Sequence, residues 1–482
     1  AHQFHLLGCI FEQFGYLVPG HLCGQLYCLP GEIYHSSEQG ADWRIHQVIQ
    51  DRGSVLSLYL RFVRGFLVFT TAFLSHRDGP VKRTSTSIYK ESNRLVVSYQ
   101  TLLLSLCMMS DSRLPWAYKR VSIGMIYTHC HVGAVGPLNL YKFFRDRFEA
   151  RLDQPFLLST GGSRHSYGDI DRLSAGFAAA LVEAGVNSGD RVVVQVDKSP
   201  GAVALYLACL RIGAVYVPLN TAYTAAEVSY FLGDAAPVLF VCRPGSAAQL
   251  SRVADQTGGA TTLTLGDSLD GSFADLAQKL PTFNELTSLD PGDVTAILYT
   301  SGTTGRSKGA MLTLENLASN AITLHEYWGF RPGDVLLHAL PMFHVHGLFV
   351  ALHCAMLNAS SVIFLPKFDV DEVRELLPDA TVMMGVPTFY TRLLDCKDFG
   401  RDECRHMRLF ISGSAPLTVH TFEEFEQRTG HKILERYGMT ETNMITSNPL
   451  DGERVAGTVG YALPGIEIRV ADETGKPLPP GT

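Results

Sequence analysis

From Pro137 onward the apolar positions fall into two alternating spacings. LSAGFAAALVEAGV (173–186) carries its small and apolar residues on one helical face, and SPGAVALYLACLRIGA (199–214) is a second helix of the same kind. Around them lie short runs rich in Val, Ile and Leu: GDRVVVQV (189–196), VYVPL (215–219), APVLFVC (236–242) and VIFLP (362–366). Pro291-Gly292-Asp293 is turn chemistry that opens a further strand, VTAILYT (294–300). Helices alternating with short, wholly apolar strands predict an α/β fold, a parallel sheet covered by helices on both faces. Before Gly136 the apolar patches keep no steady period and no helix caps line up with them. The pattern therefore predicts two regions, an atypical extension over 1–135 and a regular domain over 136–482, with no internal repeat and no low-complexity tract.

Composition narrows the classes. The 482 residues are 46% hydrophobic and 18% charged with a net charge of -7, an ordinary globular profile with a large core. A mildly acidic chain lacks the basic face that nucleic acid requires. Ten cysteines in this length do not make a disulfide scaffold. Cys209, Cys242, Cys354, Cys396 and Cys404 sit singly in apolar or mixed segments and read as buried free thiols, which predicts a reducing compartment. Cys9, Cys23 and Cys28 with His5 and His21 raise the question of zinc. However, four residues separate Cys23 from Cys28 and no second close pair follows, which argues against a tetrahedral site. The apolar stretch from Ser54 to Leu74 is interrupted by Arg61 and Arg64, so it does not read as a membrane span. No basic segment followed by an apolar run and a cleavage site opens the chain, so no secretory signal is read.

The decisive segment is YTSGTTGRSKG, Tyr299 to Gly309, directly after the strand VTAIL. Gly302, Gly305 and Gly309 let the backbone turn tightly and aim several N–H groups at one place. Thr300, Ser301, Thr303 and Thr304 add hydroxyls, and Lys308 adds a mobile positive charge. Such a loop suits a polyphosphate. It is not a Walker A loop, because the GxxxxGK[ST] spacing is absent.

This loop resembles the phosphate loop of the adenylate-forming superfamily: acyl-CoA synthetases, luciferases and peptide-synthetase adenylation domains. Further blocks match in the family's order: LPMFHVHG (340–347), GVPTFYTRLL (385–394), LFISGSAPL (409–417), ERYGMTET (435–442) and GTVGYALPG (457–465). In wording, and in VPLNTAYT (217–224), they most resemble bacterial-type malonyl-CoA synthetases. The resemblance implies a large domain of stacked αβα subdomains with part of a small β-subdomain. It also implies ATP, Mg²⁺ and coenzyme A as cofactors or substrates, and malonate as the acid. A cytoplasmic setting follows, or a mitochondrial matrix in a eukaryote.

By the same resemblance, Thr440 contacts the α-phosphate, Glu441 binds Mg²⁺, Tyr437 packs on adenine and Gly438 allows close approach. Read alone, YGMTE also fits a helix cap. His344 is placed beside the acyl pocket, with His346 the weaker candidate, and Ser414 lies in the SGSA turn. Arg436 and then Arg392 are the residues expected to read a distal carboxylate, which is costly to bury without a cation. A surface ion pair with Glu435 or Asp395 is the alternative for each. Full-length relatives continue into a hinge and a small C-terminal domain that supplies a catalytic lysine, so this sequence is expected to be a fragment or faulty gene model rather than an evolved pseudoenzyme. The competing functions are a ligase for another short-chain, fatty or aryl acid, and a nucleotide-binding relative without turnover.

Overall fold

A computed structural model describes residues 139–300 and 306–479, together with the backbone of three strands nearer the N-terminus. The cysteines and histidines weighed for zinc, and Ser301, Gly302, Thr303, Thr304 and Gly305 of the phosphate loop, lie outside the described residues. The chain divides into two compact units, Ala1–Met125 and Ile126–Thr482. In the first, strands β1 (Trp43–Arg44), β2 (Leu56–Val63) and β3 (Phe66–Phe73) pair antiparallel in that order. The apolar stretch broken by Arg61 and Arg64 thus supplies a β-hairpin. Among the described residues no helix is long and apolar enough to cross a membrane.

In the second unit one sheet is built from β6 (Arg191–Gln195), β7 (Val215–Pro218), β8 (Leu239–Cys242), β9 (Thr261–Thr264), β10 (Val294–Thr300) and β11 (Lys308–Thr313), ordered β11-β10-β7-β6-β8-β9. The other contains β4 (Pro155–Ser159), β5 (Arg164–Ser166), β12 (Val335–His338), β13 (Ser361–Phe364), β14 (Val382–Gly385), β15 (Leu409–Ser412), β16 (Leu434–Met439), β17 (Asn443–Ser447) and β18 (Tyr461–Ala462), ordered β18-β17-β16-β15-β14-β12-β13-β4-β5. Both are parallel through their centres, as the alternating pattern predicts. At their margins the pairing turns antiparallel: β10 with β11, β4 with β5, β16 with β17 and β17 with β18. For β10–β11 and β16–β17 the cause is connection length. Only seven residues join Thr300 to Lys308 and three join Met439 to Asn443, far short of the dozen or more that a parallel crossover needs.

The period of two along each strand sorts side chains between layers. Val192 and Val194 of β6 and Leu336 of β12 enter a core shared by the two sheets, with the helices Tyr167–Glu183 and Pro200–Ile212 packed in it. Val193 faces the opposite layer with Phe231, Leu232 and Phe240, and Leu337 faces a third with Tyr390, Phe410 and Phe425. The helix Pro200–Ile212 is fixed at both ends. The Ser199 side chain accepts the Ala202 N–H at 3.2 Å, Pro200 sits in the first turn, and Gly213 closes the helix at φ +72°.

One core residue makes stability depend on acid. His353 is fully buried, its Nε2 2.8 Å from the Tyr206 hydroxyl and its ring 4.7 Å from that of Phe144. Its Nδ1 has no partner among the described residues. Burial pushes its pKa down to about 3. An unfolded histidine titrates near ~6.5, so on acidification the unfolded state takes up the proton first. The stability His353 contributes is therefore present above ~6.5 and is lost as pH falls toward 3, at about 1.4 kcal/mol per pH unit. In thermal melts between about pH 7 and pH 5, His353→Gln, which still offers Tyr206 a partner, is expected to lose less Tm than wild type. Parallel acid slopes for the two chains would refute this assignment.

Candidate functional site at the carboxyl ends of both sheets

Strand β16 organises the site because successive residues point to opposite sides. Arg436 points inward and is 2% exposed, whereas Tyr437 points outward and is 43% exposed. Beyond them the strand reverses through Thr440–Thr442 into β17, so YGMTE is one arm and the bend of a hairpin and not a helix cap. Asn443, at φ +52°, completes the bend. Gly438 is required here: a Cβ would run into the Asn443 carbonyl oxygen.

The hairpin bend meets the margin of the first sheet. Thr300 Oγ1 donates to Glu441 Oε1 at 3.2 Å, and Thr300 is the register partner of Lys308 across the β10–β11 hairpin. Thr300, Lys308, Thr440 and Glu441 therefore flank the phosphate loop that the sequence singled out, with Lys308 and Glu441 both exposed. The far end of that loop is anchored on the helix Ala225–Ala235. The Tyr230 hydroxyl donates to the Ser307 carbonyl at 2.6 Å, and the Arg306 guanidinium lies 4.7 Å from the Tyr230 ring. Among the described residues no group of three or more His, Cys, Asp or Glu could hold a metal alone. A hard cation at Glu441 would complete its shell with phosphate and water oxygens, which a lone exposed carboxylate beside a phosphate loop permits.

The buried half of the site carries charge without an anion. Arg436 Nε and Nη2 have no hydrogen-bond partner among the described residues. Glu435 precedes Arg436 in the strand and so projects the other way. Its Oε1 accepts the Leu417 N–H at 2.8 Å, and burial raises its pKa. The ion pair weighed between Glu435 and Arg436 is therefore not formed. Gly413 makes room for the guanidinium, since a Cβ there would stand 2.5 Å from Arg436 Cζ. Around it the groups are neutral. Tyr390 donates its hydroxyl to the Ile411 carbonyl at 2.6 Å. His346 is buried, its Nδ1 3.3 Å from Ser414 Oγ and its Nε2 unpartnered. Burial, then the Arg436 charge and the neighbouring His338 and His344, hold the His346 pKa well below the histidine range. Ser414 adopts φ +70°, a strained conformation for a serine, and Ser412 Oγ is a further buried, unpartnered group. Unsatisfied polar atoms thus gather at the carboxyl ends of β15 and β16, where ligands bind in α/β sheets.

Two predicted residues stand apart from this cluster. His344 lies exposed in the turn before the π-helix His346–Leu352, its ring 4.6 Å from that of Phe343. Arg392 is exposed on the helix Pro387–Leu394, its guanidinium 5.0 Å from the centre of the Phe368 ring. Three residues were not singled out from sequence: Ser412, His338 and Lys198. Ser412 and His338 fall within or next to the matched blocks. Lys198 is marked only by its place just before the helix start at Ser199-Pro200.

Residues 144–482 match the family described as AMP-binding enzyme. The mitochondrial malonate–CoA ligase of Mus musculus is 39% identical over 277 residues, covering 54% of this chain and 47% of the relative. That of Xenopus laevis is 33% identical over 332 residues, covering 64% and 57%. The chain thus spans about half the length of these relatives. ATP-bound MatB from Rhodopseudomonas palustris superposes with a TM-score of 0.69 at 50% identity, over 72% of this chain and 69% of that one. A benzoate CoA ligase from Burkholderia xenovorans, at 24% identity and a TM-score of 0.65, shares the fold. The chain belongs to the AMP-binding enzyme family.

Proposed function

We propose that the protein is part of an ATP-dependent acid–CoA ligase whose acid is malonate. One malonate carboxylate attacks the α-phosphorus of ATP, and pyrophosphate leaves with the bond it breaks. The coenzyme A thiolate then attacks the carbonyl carbon of the malonyl-adenylate, and AMP leaves as the thioester forms. The observation that carries the acid assignment is the buried guanidinium of Arg436, whose Nε and Nη2 lack partners. A buried cation is costly unless an anion joins it, and the second carboxylate of malonate is an anion of the right kind for a bidentate guanidinium. The malonate–CoA ligase names of the relatives point the same way.

In this reading Ser414 and His346 border the acid, His344 and Arg392 stand on its exposed side, and Tyr437 and Gly438 face adenine. Thr440, Thr300, Lys308 and residues 301–305 take the phosphates, and Glu441 holds Mg²⁺, which would screen the charge of the phosphate oxygens. The protein's own contribution is position and fixed charge. A reducing setting, bacterial cytoplasm or mitochondrial matrix, suits the buried free thiols Cys209, Cys242, Cys354 and Cys404.

The first test is ATP–pyrophosphate exchange by the purified chain with malonate, methylmalonate, acetate and octanoate. Malonate-dependent exchange is expected, and exchange with acetate or octanoate alone would remove the role given to Arg436. Arg436→Met should cut malonate-dependent exchange by roughly 100-fold, because one partner of a buried charge pair is lost. It should also leave Tm unchanged or raised, since the free protein no longer buries an unpaired cation. A variant with full malonate use, or one that simply unfolds, would contradict the assignment.

Glu441→Gln separates the nucleotide half. It keeps an oxygen that can accept from Thr300, so the fold should persist, while the Mg²⁺ concentration giving half-maximal exchange rises by roughly tenfold. An unchanged Mg²⁺ dependence would take Glu441 out of the cation site.

A further inference from the structure

Lys198 stands three residues beyond the end of β6 and directly before Ser199, the cap of the helix Pro200–Ile212. The neighbouring carboxylate, Asp197, is directed to Arg243 at 3.4 Å. Lys198 instead crosses to the second sheet. Its Nζ lies 2.6 Å from His338 Nδ1, 2.8 Å from the His338 carbonyl oxygen and 4.5 Å from the centre of the Phe364 ring. His338 and Phe364 are register partners at the ends of β12 and β13.

The hydrogen bonds around His338 allow one arrangement. Its Nε2 is 2.9 Å from the Gly347 carbonyl oxygen. A carbonyl only accepts, so Nε2 carries the proton, and in the neutral ring Nδ1 is then a bare acceptor. Lys198 must therefore be the donor. Burial, and then the adjacent Lys198, hold the His338 pKa well below the histidine range and keep the ring neutral, and burial likewise lowers the Lys198 pKa well below its ordinary value. Gly347 is the second residue of the π-helix His346–Leu352, and it is packed so closely that a Cβ would strike the Pro341 carbonyl. The residue before it, His346, is the one that meets Ser414 and whose pKa is lowered by burial and then by the Arg436 charge.

We propose that Lys198 is a positioning residue for acid selection: by donating to His338 Nδ1 it locks the ring with its proton on Nε2, and that N–H pins Gly347, and with it His346, beside Arg436. A neutral hydrogen-bonded relay thus links the end of the first sheet to the buried half of the site in the second. The kinetic part of this inference rests on the acid-ligase reading, whereas the Lys198–His338 contact does not.

The test compares the full chain with Lys198→Met, which keeps length and removes the donor, and Lys198→Arg, which keeps donors. In chains carrying ¹⁵N-histidine, Lys198→Met is expected to shift the ring nitrogens of one histidine from a single neutral tautomer, and Lys198→Arg to restore them. In malonate-dependent exchange, Lys198→Met should raise KM for the acid roughly tenfold, about the effect of one buried hydrogen bond, at unchanged KM for ATP. Lys198→Arg should recover most of that loss. An unchanged histidine spectrum in Lys198→Met overturns the proposal. So does an equal loss toward acid and ATP with a lowered Tm, which marks a lysine that only supports the fold. Should wild type exchange with another acid, the same comparison is made with that acid. Should it exchange with none, the ligase reading fails, and the histidine spectrum still decides the Lys198–His338 contact.

Discussion

A guanidinium held in the protein interior without an anion constrains everything around it. Arg436 could be neutralised by the acidic residue next to it, but a β-strand sends consecutive side chains to opposite sides, and Glu435 Oε1 accepts the Leu417 N–H. Gly413 is small because the guanidinium occupies the space that a Cβ would take. The polar groups nearby, Tyr390, Ser412 and His346, are all neutral, and the Arg436 charge helps to keep His346 so. Burial lowers the pKa of Arg436 itself to about 10, still far above neutrality, so the charge persists. The free protein carries this destabilising feature, and nothing among the described residues removes it.

The two sheets make that arrangement possible by keeping their central strands parallel and their ligand-facing margins antiparallel. Parallel strands bring many carboxyl ends to one side of the molecule. Short hairpins then extend those ends: β10 into β11 around the phosphate loop, and β16 into β17 around Glu441. The contact of Thr300 with Glu441 ties one hairpin to the other. Lys198 makes a second tie between the sheets, deeper in, through His338. In the proposed reading the outer tie belongs to the phosphate region and the inner one to the acid region, and β16 runs through both.

Much of the framework was legible in the sequence because it depends on local periodicity. VTAILYT is a strand over its whole length, and the two amphipathic runs are helices with ends shifted by a few residues. The hairpins were less legible, since loops rich in Gly and Thr signal a turn without fixing the direction of the strand that follows. The π-helix was not legible at all: the segment HGLFVAL is apolar and unpunctuated, and its wider turn reflects tertiary packing around Gly347. Among site residues, Arg436 could be singled out by its place in a resembling block, and the period of two that separates it from Glu435 emerges only once the segment is known to be a strand. Arg392 illustrates the converse. It sits in a matched block, yet it occupies the solvent side of its helix, over Phe368. Lys198 carried no local signal, because its partner is 140 residues away.

In the proposed reading, the division between an exposed nucleotide half and a buried acid half bears on selectivity. Groups such as Lys308 and Glu441 remain hydrated in the free protein, so a ligand that fails to engage them forfeits an interaction and little more. Arg436 Nε and Nη2, His346 Nε2 and Ser412 Oγ are already buried and have no hydrogen-bond partner among the described residues. An acid without a second carboxylate leaves that penalty in place and adds to it by displacing any solvent that eased it. Discrimination of this kind acts against monocarboxylates through what they fail to satisfy. Rejection of one extra methylene in an apolar pocket is worth far less, about 1–3 kcal/mol, than rejection of an analogue that leaves buried polar groups unpaired. On the malonate reading proposed above, a site built around an unpaired guanidinium is therefore strict about charge and comparatively indifferent to small changes in the carbon skeleton that carries it.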